Sequence, residues 1–240
     1  MTRIADADFR VLEEFLAAYR IPAGLGAQAR HGLMKRAHRH VLSALQVWQK
    51  LDAGVRGGTI RLGGHLVPND DDVLCLFSEH FSDLVGSLAC AIHGNYKSAN
   101  FLLRSSVENI VRGMAGVTSQ MAFQTTSVYK LFEIASTEPL FLGKAESHFK
   151  AMHQIYGELC LFVHSGSALH RDAAHELAQH LKQDTARLRE FVIFLERINR
   201  ASLSALVVGN PLLYTSLHHR ARDLVDDVLP SDVRLAALGA

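Results

Sequence analysis

The sequence predicts an all-α protein, a helical bundle with long central helices and an N-terminal helical and hairpin extension. Three observations carry this reading. Apolar residues recur at three- and four-residue spacing along nearly the whole chain, the signature of helices with one buried face. Apolar residues make up 48% of the 240 and charged residues 20%, enough for a core and too apolar for a disordered chain. Prolines number only five, so long stretches carry no helix breaker. The expected organisation is a basic N-terminal unit over residues 1–68 and a helical bundle over residues 69–240.

The elements follow in order. Asp6 or Asp8 is placed to cap a first helix whose apolar residues are Phe9, Leu12, Phe15, Leu16 and Tyr19. A second helix is expected from about Ala27 to Leu51, with Met34, Ala37, Val41, Leu45, Trp48 and Leu51 inward. Thr59 to Pro68 changes period: two short alternating runs flank Gly63-Gly64, which predicts a hairpin or ordered loop. Asp70, Asp71 and Asp72 supply first-turn negative charge for a long helix through Leu74, Phe77, Phe81, Leu84, Val85, Leu88 and Ile92, ended by Gly94 and Asn95. A helix near Lys97 to Gly116 follows, apolar on one face with Phe101 opposite, and so is expected to be central. Shorter helices are predicted at Val128 to Ala135 and Lys144 to His164. One helix of nearly forty residues is expected from about His170 to Val208, and a final one from Leu212 to Leu229.

Composition narrows the class. The start carries no apolar leader, and the longest uncharged run near the end is broken by Gly209, Asn210 and Pro211, so a soluble, cytoplasmic protein without membrane contact is expected. Cys75, Cys90 and Cys160 are odd in number and lie among apolar neighbours, which predicts buried free thiols. Residues 1–68 hold ten Lys or Arg against five Asp or Glu, and residues 69–240 hold fifteen against nineteen. Arg30, Lys35, Arg36 and Arg39, with His31, His38 and His40, crowd two to three helical turns. Such density attracts phosphate, so these four cations are candidate nucleic-acid contacts. A solvated face, or a strip salt-bridged to the acidic remainder, is the plainer reading of the same residues.

Familiar chemistry is mostly excluded by spacing. No HExxH, ExxH or CxxC occurs, and Asp172, Glu176 and His180 at i, i+4, i+8 are read as an exposed charged stripe, so no metal or cofactor is expected. Neither a GxSxG elbow nor a phosphate-binding loop is present. What remains is a polar constellation on two helices. Arg104, Glu108 and Arg112 share a stripe of one, and Tyr156, Cys160 and His164 share a line on the other. A buried Arg104 needs acceptors, and Glu108 and His164 are placed to supply them. Such a group serves either as a network that registers two helices or as a site that holds a phosphate or moves a proton.

The residues Gly94, Tyr96, Ala99, Leu102, Arg104 and Glu108, followed later by Tyr156, Leu159, Val163 and His164, resemble a pattern in bacterial all-helical proteins of unassigned function that are similar to the HEPN group. The resemblance covers about residues 73–210. It implies a HEPN-like bundle, a homodimer, and a prior toward RNA or nucleotide binding in phage defence or a toxin–antitoxin system. Catalytic members carry Arg and His separated by four to six residues, and this chain departs from that pattern: Arg36/His40, Arg61/His65 and Arg171/His175 are each one residue short. The expected function is therefore an interaction or RNA/nucleotide-binding module. The alternatives are a metal-independent ribonuclease using His164 with Arg104, or a structural scaffold for a protein partner.

Overall fold

A computed structural model describes residues 3–18, 28–62, 70–163 and 183–239, and those residues form eleven α-helices and no strand. The helices are α1 (Arg3–Ala18), α2 (Gln28–Arg56), α3 (Asp70–Ile92), α4 (Tyr96–Gly116), α5 (Met121–Gln124), α6 (Val128–Ala135), α7 (Glu146–Val163), α8 (Thr185–Gly209), α9 (Pro211–Thr215), α10 (His219–Asp226) and α11 (Ser231–Ala237). Two 3-10 turns, Pro139–Phe141 and Gly143–Ala145, lead into α7.

The tightest pairing is the α3–α4 hairpin. Gly94 adopts φ +79°, a left-handed turn that glycine enters without strain, and the Asn95 side chain caps α4 by accepting from the Ser98 N–H at 3.2 Å. The helices run antiparallel: Gly113 faces Phe77, Asn109 donates to Asp83 at 3.0 Å, and Gly86 faces Leu102. Around this pair the long helices form a closed circuit, α2 against α3, α4 against α7, α7 against α8 and α8 against α2. One continuous apolar core joins all five, and Val41, Ala44, Val47 and Leu51 of α2 belong to it with Phe77, Leu103, Met152 and Leu195.

Helix α4, expected to be central, packs on α3, α5, α6, α7 and α8, and α8 is buried as deeply. Ala201 through Val207 are all buried, seven consecutive residues that leave no solvent face. By contrast Phe101, expected to make α4 greasy on two sides, is 51% exposed. Among the described residues one stretch, Asp71–Ile92, is long and apolar enough to cross a membrane, and half of it is buried against the rest of the chain.

Several boundaries differ from expectation for identifiable reasons. Helix α8 begins at Thr185 because Asp184 is extended (φ −126°, ψ 119°) and its carboxylate accepts from the Ala186 and Arg187 N–H groups; the rest of the expected forty-residue helix lies outside the described residues. The single helix expected over Leu212 to Leu229 is two, α9 and α10, because His218 takes extended backbone between them, and a further helix, α11, follows extended Pro230 in the expected tail. Helix α1 starts at Arg3, so Asp6 lies in its first turn instead of capping it. The expected hairpin is represented by Thr59–Leu62, which contains no strand; its second run lies outside the described residues. The thiols are free, but Cys75 is exposed and Cys90 and Cys160 are only half-buried.

Candidate functional site

Helices α4 and α7 bring Arg104 and Tyr156 together. The Arg104 Nη2 donates to the Tyr156 hydroxyl in a short hydrogen bond, and its Nε donates to the Cys160 sulfur at 3.4 Å. The guanidinium also lies over the Tyr156 ring, 4.7 Å from its centroid, a cation–π contact. Phe132 of α6 backs that ring at 5.4 Å. Burial works first against the Arg104 charge, and the Cys160 contact, Tyr156 and Glu108 outweigh it, so the cation is held. Burial pushes the Tyr156 phenol upward, so it stays protonated. Having accepted from Arg104, the hydroxyl keeps its own proton to donate.

Glu108 does not neutralise Arg104. It accepts from Arg112 at 2.9 Å, and Arg112 also donates to the carbonyls of Ala122 at 2.6 Å and Thr125 at 2.8 Å. Arg112 is only 13% exposed and stitches the α5 turn onto α4. Its replacement by methionine leaves one carboxylate and two carbonyls short of donors. We expect Arg112→Met to lose about 2–3 kcal/mol of stability in denaturant melts. Arg104 thus has no ion-pair partner among the described residues. Its Nη1 makes no hydrogen bond within them, and the same two helices carry exposed Phe101, three residues back on α4, and exposed Leu161, one residue past Cys160 on α7. His164, the remaining member of the expected set, lies outside the described residues.

The basic stretch of α2 is largely answered within the chain. Arg36 makes a two-pronged pair with Glu196 of α8, Nε at 2.9 Å and Nη2 at 2.6 Å. Lys35 meets Asp6 of α1 at 2.8 Å. Arg30 and Arg39 make no ion pair among the described residues, and the Nε of each is buried without a partner. Behind Arg36, Asn199 donates to the His40 carbonyl at 3.0 Å and to its Nδ1 at 3.2 Å, which assigns the proton of His40 to Nε2, facing Glu196 at 3.6 Å. Burial, then Arg39, Arg200 and Arg36, push the His40 imidazole down to about 3, so it is neutral here. Sequence reasoning found the cations but not their acids, which lie some thirty residues upstream or about 160 downstream.

Among the described residues no group of three or more His, Cys, Asp or Glu side chains could hold a metal ion; Asp172, Glu176 and His180 lie outside them. A cleft of about 290 Å³ is lined by Thr118, Leu140, Leu142 and Gly209, and Arg104 is not part of its lining.

The described residues form an all-α helical bundle, and at its α4–α7 seam Arg104 is half-buried with no carboxylate partner among them. No family model, curated protein or solved structure matches the chain. The HEPN resemblance accordingly stands on its motif residues alone.

Proposed function

We propose that the protein is an RNA- or nucleotide-binding helical module in which Arg104 receives a phosphate. The observation that carries this is the unpaired guanidinium: its Nη1 lacks a protein partner among the described residues while its nearest carboxylate, Glu108, is engaged by Arg112. A cation kept charged and half out of water attracts an oxyanion, and guanidinium geometry suits phosphate. The Tyr156 hydroxyl supplies a second donor beside it. Exposed Phe101 adds a ring on which a base can stack, and the pairing of a cation with an aromatic platform is what single-stranded nucleic acid requires.

Catalysis has less support. Arg104 does not deprotonate, and the buried phenol of Tyr156 is a poor base, so neither group removes a proton from a ribose hydroxyl. The test is fluorescence anisotropy with a labelled single-stranded RNA, run beside a gel for strand cleavage. Arg104→Gln is expected to weaken binding about tenfold, and Phe101→Ala by about 1–3 kcal/mol, with the RNA intact throughout. Unchanged affinity in Arg104→Gln rejects the assignment. Cleavage that disappears with His164→Ala would instead establish the ribonuclease.

A further inference from the structure

The most basic stretch of the chain is the first half of α2, and the structure shows what lies on it. From Gln28 to Leu51 there is no carboxylate at all. At about 100° per residue, His31, Lys35, His38 and Arg39 fall within an arc of roughly 100°. Helix α1 lies across that arc and places an acid at three of the four positions. Glu13 meets His31 at 3.0 Å, Asp6 meets Lys35 at 2.8 Å and Asp8 meets His38 at 2.9 Å. Phe9 sits between these acids with its ring edge-on to both imidazoles, at 5.3 and 5.4 Å.

We infer that this strip of α2 is a second nucleic-acid contact surface and that α1 is its intramolecular competitor, with Asp6, Asp8 and Glu13 occupying the places of backbone phosphates. The inference rests on the RNA-binding reading and adds a surface and a means of control to it. Two features support it beyond ordinary helix packing. The Lys35–Asp6 ion pair and the His31–Glu13 contact are part-exposed, and such contacts hold helices together only weakly; α1 buries just Ala5, Phe9 and Leu16 of its sixteen residues. A polyphosphate strand that displaces it therefore uncovers only the few side chains, Phe9 and Leu16 chief among them, that α1 adds to the core. The fourth position, Arg39, has a buried Nε with no partner among the described residues, so α1 matches the strip incompletely and leaves a charge for a longer polyanion to satisfy. A strand that neutralises several cations at once also gains from counterion release, which tethered carboxylates do not.

The test uses the full chain carrying Asp6→Asn, Asp8→Asn and Glu13→Gln. With the acids neutralised, labelled single-stranded RNA should bind about fivefold tighter or more, and the slope of log affinity against log salt should steepen by roughly 0.7 for each phosphate newly contacted. Adding Lys35→Gln and Arg39→Gln to that variant should return affinity to the wild-type level or below. Amide hydrogen exchange in wild-type α1 should accelerate when RNA is added, a readout that does not depend on how well the variant folds. Equal affinity of wild type and acid-neutralised protein, with α1 exchange unchanged by RNA while Arg104→Gln still weakens binding, overturns the inference and leaves the Arg104 site standing. Absence of RNA binding by both proteins overturns both readings.

Discussion

Gly113→Val is expected to cost the protein 3 kcal/mol or more, on the order of the largest effects of overpacking a core. A Cβ at Gly113 would stand 2.7 Å from Phe77 Cε1 and 2.9 Å from Cδ1. Phe77 has no exposed surface and packs in the α3–α4 seam, so it has nowhere to turn. The antiparallel hairpin must then part or slide, and the His80–Ser106 and Asp83–Asn109 contacts along the same seam go with it. For a chain of this length the loss should lower Tm by about 2–4 °C per kcal/mol. Gly32→Ala provides the opposite sign. Nothing lies within 4 Å of a Cβ there, and alanine in a helix interior is favoured by about 0.5–1 kcal/mol. Urea melts of the two variants check both.

The second large effect is acid destabilisation centred on His80. Its ring is fully buried in α3, packed edge-on to Phe81 at 4.8 Å, and its Nδ1 lies 2.9 Å from the Ser106 carbonyl. A carbonyl only accepts, so Nδ1 carries the proton and Nε2 is left as a buried lone pair without a partner. Burial lowers the imidazole to about 4 from its ordinary 6.5, against the opposing pull of the Ser106 carbonyl. The sign follows from proton uptake: between pH 6.5 and 4 the unfolded chain binds a proton at this histidine and the folded chain does not. The stabilisation is therefore full above pH 6.5 and is lost as pH falls through that window, on the order of 3 kcal/mol for this group. His40, lowered to about 3 chiefly by its own burial, pulls in the same direction. Urea melts at pH 7, 5.5 and 4.5 should show the decline, and His80→Leu should flatten it by about one proton's share. A slope untouched by that substitution would mean that His80 does not govern it.

The bundle was legible where local signals and packing agreed. Helix α6 matches its expected bounds of Val128 and Ala135, and α3, ending at a glycine followed by a capping asparagine, also stood out. The length of α8 was misread because Leu177 and Leu181 continue the spacing of Leu188, Val192 and Leu195. The signal that ends this run is a single capping aspartate, Asp184, whose extended backbone no apolar period reveals. The polar site was legible as far as its two helices. Arg104 and Tyr156 share the facing stripes and do meet, with Cys160 beside them. Glu108 lies one turn from both Arg104 and Arg112, and the structure pairs it with the latter, the orientation in which the acid precedes the base by four residues. The acids on the basic strip belong to a different helix altogether, and one-dimensional spacing carries no record of that.

Those two pairings leave Arg104, at the α4–α7 seam, without a carboxylate partner among the described residues. The most direct test of this account is the salt dependence of single-stranded RNA binding by wild-type protein and Arg104→Gln. The account predicts measurable binding by the wild type, weaker binding by the variant, and a slope of log affinity against log salt that is shallower in the variant by about 0.7, one phosphate contact fewer. Parallel lines of equal affinity would place the phosphate elsewhere and contradict it.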